Sequence, residues 1–335
     1  SRTLLLHQLI WRRDPAGETS PRPDRSTLFF GADLPCATHT LTIFMQPLRL
    51  SLLICTINDR IKSVPQMLLP QRNDVEYVVS FQYTDPMFLD MVPDALRRRS
   101  DVHILPFLGA GLSANRNNAL RHCSTALAAI ADDDARYTEA DLSAVIRLAE
   151  AHPDVDIFCL QANTSDGRPF KSYPPCDFDY AHTPRGTYFT SFEIVVRTDA
   201  ALPAFDTRFG LGAEFLSCGE EEIFLYQAYR SGLHVHFFPQ LLCTVPSRET
   251  TGSRFAADTK VRRSKGAVLY MMHGIGSALM RITLTALRHR PWHDVPRVWR
   301  DMVEGARYVL THPLNEGVGD EIPLDFQPID VLKLP

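Results

Sequence analysis

The chain has 335 residues, 45% hydrophobic and 22% charged, with a formal net charge of −4. This is an ordinary globular composition, and the near-neutral balance gives no electrostatic case for nucleic acid as the main partner. The seven cysteines are odd in number, widely spaced and without a CxxC pair, which points to a reduced compartment and offers no sequence-local zinc set.

Residues 1–44 show no helical or strand periodicity, and Arg12 to Pro23 is a polar run rich in breakers. The order of features that marks a secretory signal is not read there. Residues 1–44 are therefore expected to be a disordered or non-native extension, with the natural start at Met45. A catalytic domain is expected over 45–250, with a helical region packed on it over 251–335.

From Leu50 the pattern is strand, turn, helix, repeated. Leu50–Thr56 is a short continuous apolar run of the kind buried on both faces, followed by Val75–Phe81 and Val102–Phe107. A helix is predicted from Ser113, acting as its cap, to about His122. Thr125–Ala131 is a fourth strand. Thr138 then caps a helix whose first turn holds Glu139 and Asp141 and which runs to Glu150, before His152-Pro153 and a strand at Val155–Leu160. Such alternation predicts an α/β fold with a mixed, mainly parallel sheet flanked by helices. Further on, Ser165-Asp166-Gly167 reads as a hairpin turn and Tyr188–Arg197 as β-rich. Glu220–Arg230 is a helix and Leu233–Phe238 a strand. The long apolar helix Gly266–Leu287 is interrupted at His273 and Arg281, which argues against a membrane span. The arginines at 281, 288, 290, 297 and 300 leave peripheral membrane contact as a possibility beside simple packing on the domain.

The most informative feature is Asp132-Asp133-Asp134 at the end of the fourth strand. Ligands bind at the carboxyl edge of open α/β sheets, and clustered carboxylates hold Mg²⁺ or Mn²⁺, which in turn neutralises phosphate. Asp132 and Asp134 have the spacing that projects two strand residues to one side. The competing reading is a solvated acidic turn. Thr56 and Asn58 stand where the first strand ends, suited to gripping a nucleotide. Arg116 and Asn117 open a helix after Gly109-Ala110-Gly111, where free amides, a positive helix end and a bidentate donor favour phosphate. Glu220-Glu221-Glu222 stands at the start of a late helix, in a position to take a proton or simply to complement the helix dipole.

Taken together, four segments resemble the family-2 glycosyltransferases of GT-A (Rossmann-like) fold. They are Ile54 to Arg60, Gly111 to Ala119, Ala131 to Asp134, and Phe205 to Gly210 with Gly219 to Glu222. The resemblance runs from Leu50 to Arg248 and is nearest to bacterial enzymes of surface-polysaccharide synthesis that carry NDR, GLSxNRNNAL and ADDD segments. It implies a metal-dependent, inverting hexosyltransferase that moves a sugar from a nucleotide diphosphate to an acceptor hydroxyl. It further implies donor contacts at Thr56, Asn58, Asp59, Gln82, Arg116, Asn117, Asp132 and Asp133. Mn²⁺ or Mg²⁺ would be bound by Asp134 with Asp132, and the base would be Glu221 or Glu220. The implied partners are a nucleotide-sugar, with a UDP-sugar the first expectation, and a saccharide or lipid-linked acceptor. The implied location is cytoplasmic, at most peripheral at the inner face of the membrane.

Two departures stand out. The acidic stretch that many members carry after the second strand is here Ser80 to Asp85, where only Thr84-Asp85 agrees, leaving Gln82 as the candidate base contact. The metal-binding histidine placed after the last strand has no counterpart in Cys243 to Arg248. His234 and His236 precede that stretch and read as sheet residues rather than ligands. Two alternatives remain: a nucleotidyltransferase of related fold, disfavoured because Asn58 to Lys62 has no glycine, and a non-catalytic nucleotide-sugar-binding protein.

Overall fold

The computed structural model describes residues 11–13, 19–21, 49–246, 250–288 and 292–314. The chain divides into two units, Ser1–Pro47 and Leu48–Pro335. In the first, β1 (Trp11–Arg13) pairs antiparallel with β2 (Thr19–Pro21). The rest of residues 1–44, Met45, Arg248 and Arg290 lie outside the described residues.

The second unit is built on one eight-stranded sheet. Its strands are β3 (Leu50–Ile57), β4 (Val75–Tyr83), β5 (Val102–Leu108), β6 (Leu127–Asp132), β7 (Ile157–Thr164), β8 (Phe178–Asp179), β9 (Ile194–Arg197) and β10 (Val235–Val245), in the spatial order β5-β4-β3-β6-β9-β7-β10-β8. β3 to β6 are mutually parallel, and β10 is parallel to β7. Between these two blocks β9 runs antiparallel to both β6 and β7, and β8 closes the edge antiparallel to β10. This is the mixed, mainly parallel sheet expected of a GT-A fold.

The central strands are apolar without alternation because helices cover both faces. β3 and β4 are buried along their length except Ile57. Leu52, Ile54 and Tyr77 face one core layer, while Leu53, Cys55 and Val78 face the other. The flanking helices are α1 (Asp94–Arg97), α2 (Leu112–Arg121), α3 (Glu139–Ala151) and α4 (Glu220–Arg230). Thr138 caps α3 as its sequence indicates, accepting from the Asp141 amide at 3.1 Å. Ser113 does not cap α2. The helix begins one residue earlier, Gly111 is its N-cap, and the Ser113 hydroxyl donates to Phe209 O at 2.7 Å. Tyr188–Arg197 is strand only in its last four residues, since a 3-10 turn occupies Ser191–Glu193.

The C-terminal pair α5 (Thr259–Arg288) and α6 (Val295–Thr311) packs closely. A Cβ on Gly266 would come within 1.8 Å of Met302 O, and one on Gly305 within 1.9 Å of Arg263 O. Arg262 and Asp301 form a buried ion pair at 2.8 Å across this crossing. α5 kinks at Gly274, where φ is 70°. By length and composition alone, α5 is long and apolar enough to cross a membrane. Val261, Ala267, Val268, Ala278, Ile282 and Ala286 on one side of it are nonetheless buried within the protein.

Candidate active site

The carboxyl edge of the sheet gathers acids from three separate segments. β6 ends at Asp132, and the chain turns there, with the Ala135 amide donating to Asp132 O at 3.1 Å. The three aspartates therefore do not alternate along a strand as their spacing suggests. The turn sends each carboxylate to a different environment.

Asp133 is buried, its side chain 3% exposed. Its carboxylate accepts from Thr56 Oγ1 at 2.7 Å and from Arg60 Nε at 2.8 Å, with Arg60 Nη2 on its other oxygen. The asparagine after α2's first turn, Asn115, donates to Thr56 O at 3.0 Å. Thr56, Asn115, Arg60 and Asp133 thus tie the ends of β3 and β6 to α2.

Asp134 is half exposed, 3.9 Å from Arg60 Nη2. It opens on a cleft of about 430 Å³ lined also by Asp59, Arg60, Lys62, Ser63 and Gln66. Burial, reinforced by the charges of Asp132 and Asp133, raises its pKa above the usual carboxylate range. Five acids, Asp132, Asp133, Asp134, Glu220 and Glu221, share two guanidinia, Arg60 and Arg116, so the carboxyl edge carries excess negative charge. Hard oxygen donors with excess charge beside an open cleft fit a divalent cation of the Mg²⁺ or Mn²⁺ kind. Asp134 has the free carboxylate, and Asp132, which accepts from Ser191 Oγ at 3.2 Å, keeps lone pairs for a second contact.

Arg116 is the hub of the other half. It is 2% exposed, with Nη1 at 2.9 Å from Glu220 Oε1 and 3.1 Å from Glu221 Oε1. Its Nη2 donates to Ser191 Oγ at 2.7 Å and lies 3.6 Å from Asp132 Oδ1. The guanidinium is buried among acids rather than held out toward a ligand. The start of α2 is also covered: the Leu112 amide donates to Leu211 O at 2.8 Å. The first of the amides anticipated there is thus engaged within the protein. Asn117 is set apart from the cleft, because both its amide atoms are engaged by the backbone of Phe205, at 2.9 and 2.7 Å. Phe205 in turn stacks on Phe224 of α4 at 4.3 Å between ring centroids. α2 therefore positions α4 and its acids.

Gln82 is buried and donates to Gly111 O at 3.0 Å. Asn58, with φ of 52°, accepts from the Thr84 amide at 2.9 Å and locks the ends of β3 and β4 together. Asp59 is exposed at the cleft mouth.

The two glutamates differ in access. Glu220 has a 5% exposed side chain and one buried oxygen, Oε2, without a partner. Glu221 is 16% exposed. Burial raises Glu221, the neighbouring Glu220 raises it further, and Arg116 pulls it back, leaving its pKa pushed up to about 8. Glu220 is raised as well, again chiefly by burial.

Four residues with prominent contacts were not among the site residues expected from sequence. Arg60 and Asn115 lie within the resembling segments without an assigned role, yet Arg60 holds Asp133 and Asn115 holds Thr56. Ser191 carried no signal beyond residue type. Lys171 is largely buried against Glu193 Oε2 at 2.6 Å, beside Tyr173 and Tyr188, and burial lowers its pKa.

Residues 52–198 match the model of glycosyl transferase family 2. By this match residues 52–198, somewhat under half of the chain, are similar to family-2 glycosyltransferases. The matched segment runs from within β3 to the end of β9, includes the aspartates, and ends before α4 and its glutamates. Among solved structures, the chain is similar to S. aureus TarS 1–349, with 14% identity over 83% of this chain and 76% of that one, at a TM-score of 0.46. It is also similar to TarS 1–349 in complex with UDP-GlcNAc, with 13% identity over 77% and 82% of the two chains, at a TM-score of 0.47. No curated protein sequence matches the chain.

Proposed function

We propose that the chain transfers a sugar, with inversion, from a nucleotide diphosphate to an acceptor hydroxyl in surface-polysaccharide synthesis. The observation that carries this reading is the convergence on one sheet edge of Asp132 and Asp134, beside an open cleft, with Glu220 and Glu221 joined to them through Arg116 and Ser191. In this reading Asp134, with Asp132, holds Mn²⁺ or Mg²⁺, which supplies charge neutralisation for the departing diphosphate. The exposed Asp59 and Lys62 and the partly exposed Arg60 border the donor's phosphates. Thr56, Asn58, Asp133 and Gln82 shape the wall against which the nucleotide lies. Arg116 and Asn117 support the site by fixing the acids and α4. A UDP-sugar is the first donor to test.

Glu221 is the proposed base. It is the more accessible of the two acids, and a pKa near 8 matches a group that must accept a proton near neutrality. The acceptor oxygen attacks the anomeric carbon as its proton passes to a Glu221 carboxylate oxygen, and the bond from that carbon to the diphosphate oxygen breaks. Glu220, Arg116 and Ser191 hold Glu221 in place.

We also propose that the enzyme works at the inner face of a membrane. Met280, Leu284 and Leu287 of α5 and Trp292 beyond it are 45–58% exposed, and Arg281 and Arg288 border that face. An apolar strip with aromatic and basic neighbours suits an anionic lipid interface.

The deciding measurement is a transfer assay across nucleotide-sugars with Mn²⁺, preceded by a thermal-shift screen of nucleoside diphosphates with and without metal. Metal-dependent stabilisation by a diphosphate together with turnover supports the reading. Diphosphate binding without turnover across donors and acceptors would favour a binding protein instead.

A further inference from the structure

A second group of metal-binding side chains lies at the opposite edge of the sheet. His234 immediately precedes β10 and His236 is its second residue, and Asp179 of β8 is the registered partner of His236. A ring nitrogen of each histidine and a carboxylate oxygen of Asp179 lie within 4.8 Å of one another. His234 Nε2 is 3.3 Å from Asp179 Oδ2. Its Nδ1 faces Asp154, 3.1 Å from the carbonyl oxygen and 3.2 Å from Oδ2. His236 Nε2 is 3.1 Å from Asp177 Oδ2, while its Nδ1 is buried with no partner.

We propose that Asp179, His234 and His236 form a metal site of their own, which takes a borderline divalent ion of the Zn²⁺ type. Two imidazoles and a carboxylate are the donor set Zn²⁺ prefers, and a poor one for Mg²⁺. Residues two apart on a strand point to the same face, so both rings are delivered together, and the adjacent edge strand supplies the third ligand. Asp154 at Nδ1 of His234 is the outer partner that sets a ligating histidine's ring and tautomer. Ion pairing alone accounts for the contacts to Asp177 and Asp179. It leaves the buried Nδ1 of His236 unsatisfied, which a site rearranged around a cation relieves.

The strand direction separates this site from the aspartates. From His236 to Thr244, where β10 meets Arg136, the bulged strand runs past five residues of β7, Phe158 to Asn163, or about 17 Å of strand. The site also has a structural consequence. β8 has two residues and is registered to β10 through two pairs. The residues that follow it, Tyr180, Ala181 and Thr183, wall a pocket of about 300 Å³ together with Tyr188, Tyr229 and Glu222. A cation bridging Asp179 to β10 would fasten the edge strand and, through it, this aromatic wall beside α4.

The test is calorimetric titration of ZnCl₂ into the chelator-treated full chain carrying Asp134→Ala, which silences the acidic cluster. One saturable equivalent is expected, not displaced by excess Mg²⁺, together with a rise in Tm at saturation. His234→Ala, His236→Ala or Asp179→Asn in that background should each weaken binding by more than about a hundredfold, beyond the usual cost of an outer-sphere loss. Their Tm in chelator should stay near that of the parent. Asp179→Asn, on an edge strand, is the variant to rely on if a histidine variant misfolds. Absence of saturable Zn²⁺ binding, or unchanged affinity in Asp179→Asn and in both histidine variants, overturns the proposal.

Discussion

Arg116 Nη1 lies between Glu220 Oε1 and Glu221 Oε1, at 2.9 and 3.1 Å, so a single buried guanidinium serves two adjacent acids in the first turn of α4. Adjacent helical residues point about 100° apart and do not normally share a partner. They share one here because Arg116 reaches the helix end from below, on α2, and its own charge has no solvent to face.

Removing that cation leaves two acids buried without compensation. Arg116→Met should therefore cost about 3–5 kcal/mol, the range for breaking a buried ion pair. Urea denaturation of the variant and parent checks this. A loss under about 1 kcal/mol would mean that the acids simply take up protons, and the loss should then grow sharply above pH 8.

Glu221→Gln should retain donor and metal binding and lose transfer by about 10²–10⁴-fold, the usual contribution of a general base. Initial rates beside calorimetric titration of UDP with Mn²⁺ separate the two quantities. If Glu220→Gln loses turnover while Glu221→Gln keeps it, the base is one residue earlier.

The pH dependence follows from the raised pKa of Glu221, from 4.5 to about 8. Its basic form accumulates as pH rises, so kcat/KM should climb through an apparent pKa near 8, and the limb should vanish in Glu221→Gln. Stability moves the other way. Between 4.5 and about 8 the folded chain keeps a proton that the unfolded chain has released, so this group's contribution falls as pH rises through that window. The Tm difference between Glu221→Gln and the parent should shift in the variant's favour from pH 6 to pH 9.

The neighbouring aspartates should separate cleanly. Asp134 is half exposed, so Asp134→Ala should change stability by no more than about 0.5 kcal/mol while abolishing metal-dependent nucleotide binding. Asp133→Ala strands Thr56 and Arg60 and should cost about 1–3 kcal/mol. Thermal melts with and without Mn²⁺ and UDP distinguish the two patterns. Metal-dependent nucleotide binding preserved in Asp134→Ala would remove that residue from the metal site.

The exposed face of α5 makes the membrane reading testable. Leu284→Asp with Met280→Asp should reduce sedimentation with vesicles containing about a third anionic lipid by at least fivefold, while transfer to a soluble acceptor is unchanged. Equal sedimentation of variant and parent would set the membrane reading aside.

What could be read without coordinates was local. Continuous apolar runs marked β3, β4 and β6, because burial on both faces removes the alternation of a half-wet strand. Thr138 announced α3 through a cap that acts over three residues. The placement of acids at the sheet's carboxyl edge also followed, since a strand's end is where its next residues must be. What stayed hidden was pairing at a distance. Nothing near Arg60 signals Asp133, which is 73 positions on, and nothing near Arg116 signals Glu220, which is 104 positions on. A buried arginine and a surface one are spelled alike. The turn after Asp132 likewise defeated the alternation that its spacing suggests, because that rule holds only while the strand lasts.

Gly219 caps α4 with φ of 99°, and a Cβ there would meet Val268 Cγ2 of α5 at 2.7 Å. The first turn of α4 therefore rests on a helix that begins sixty residues after the matched family segment ends at 198. The matched segment and the proposed catalytic unit therefore have different bounds. Residues 52–198, transplanted alone, would carry the aspartates but neither the glutamates nor the wall that sets their angle. On the proposed role of the glutamates, the smallest portable version extends at least to α5 and, through the Gly266–Gly305 crossing, to α6.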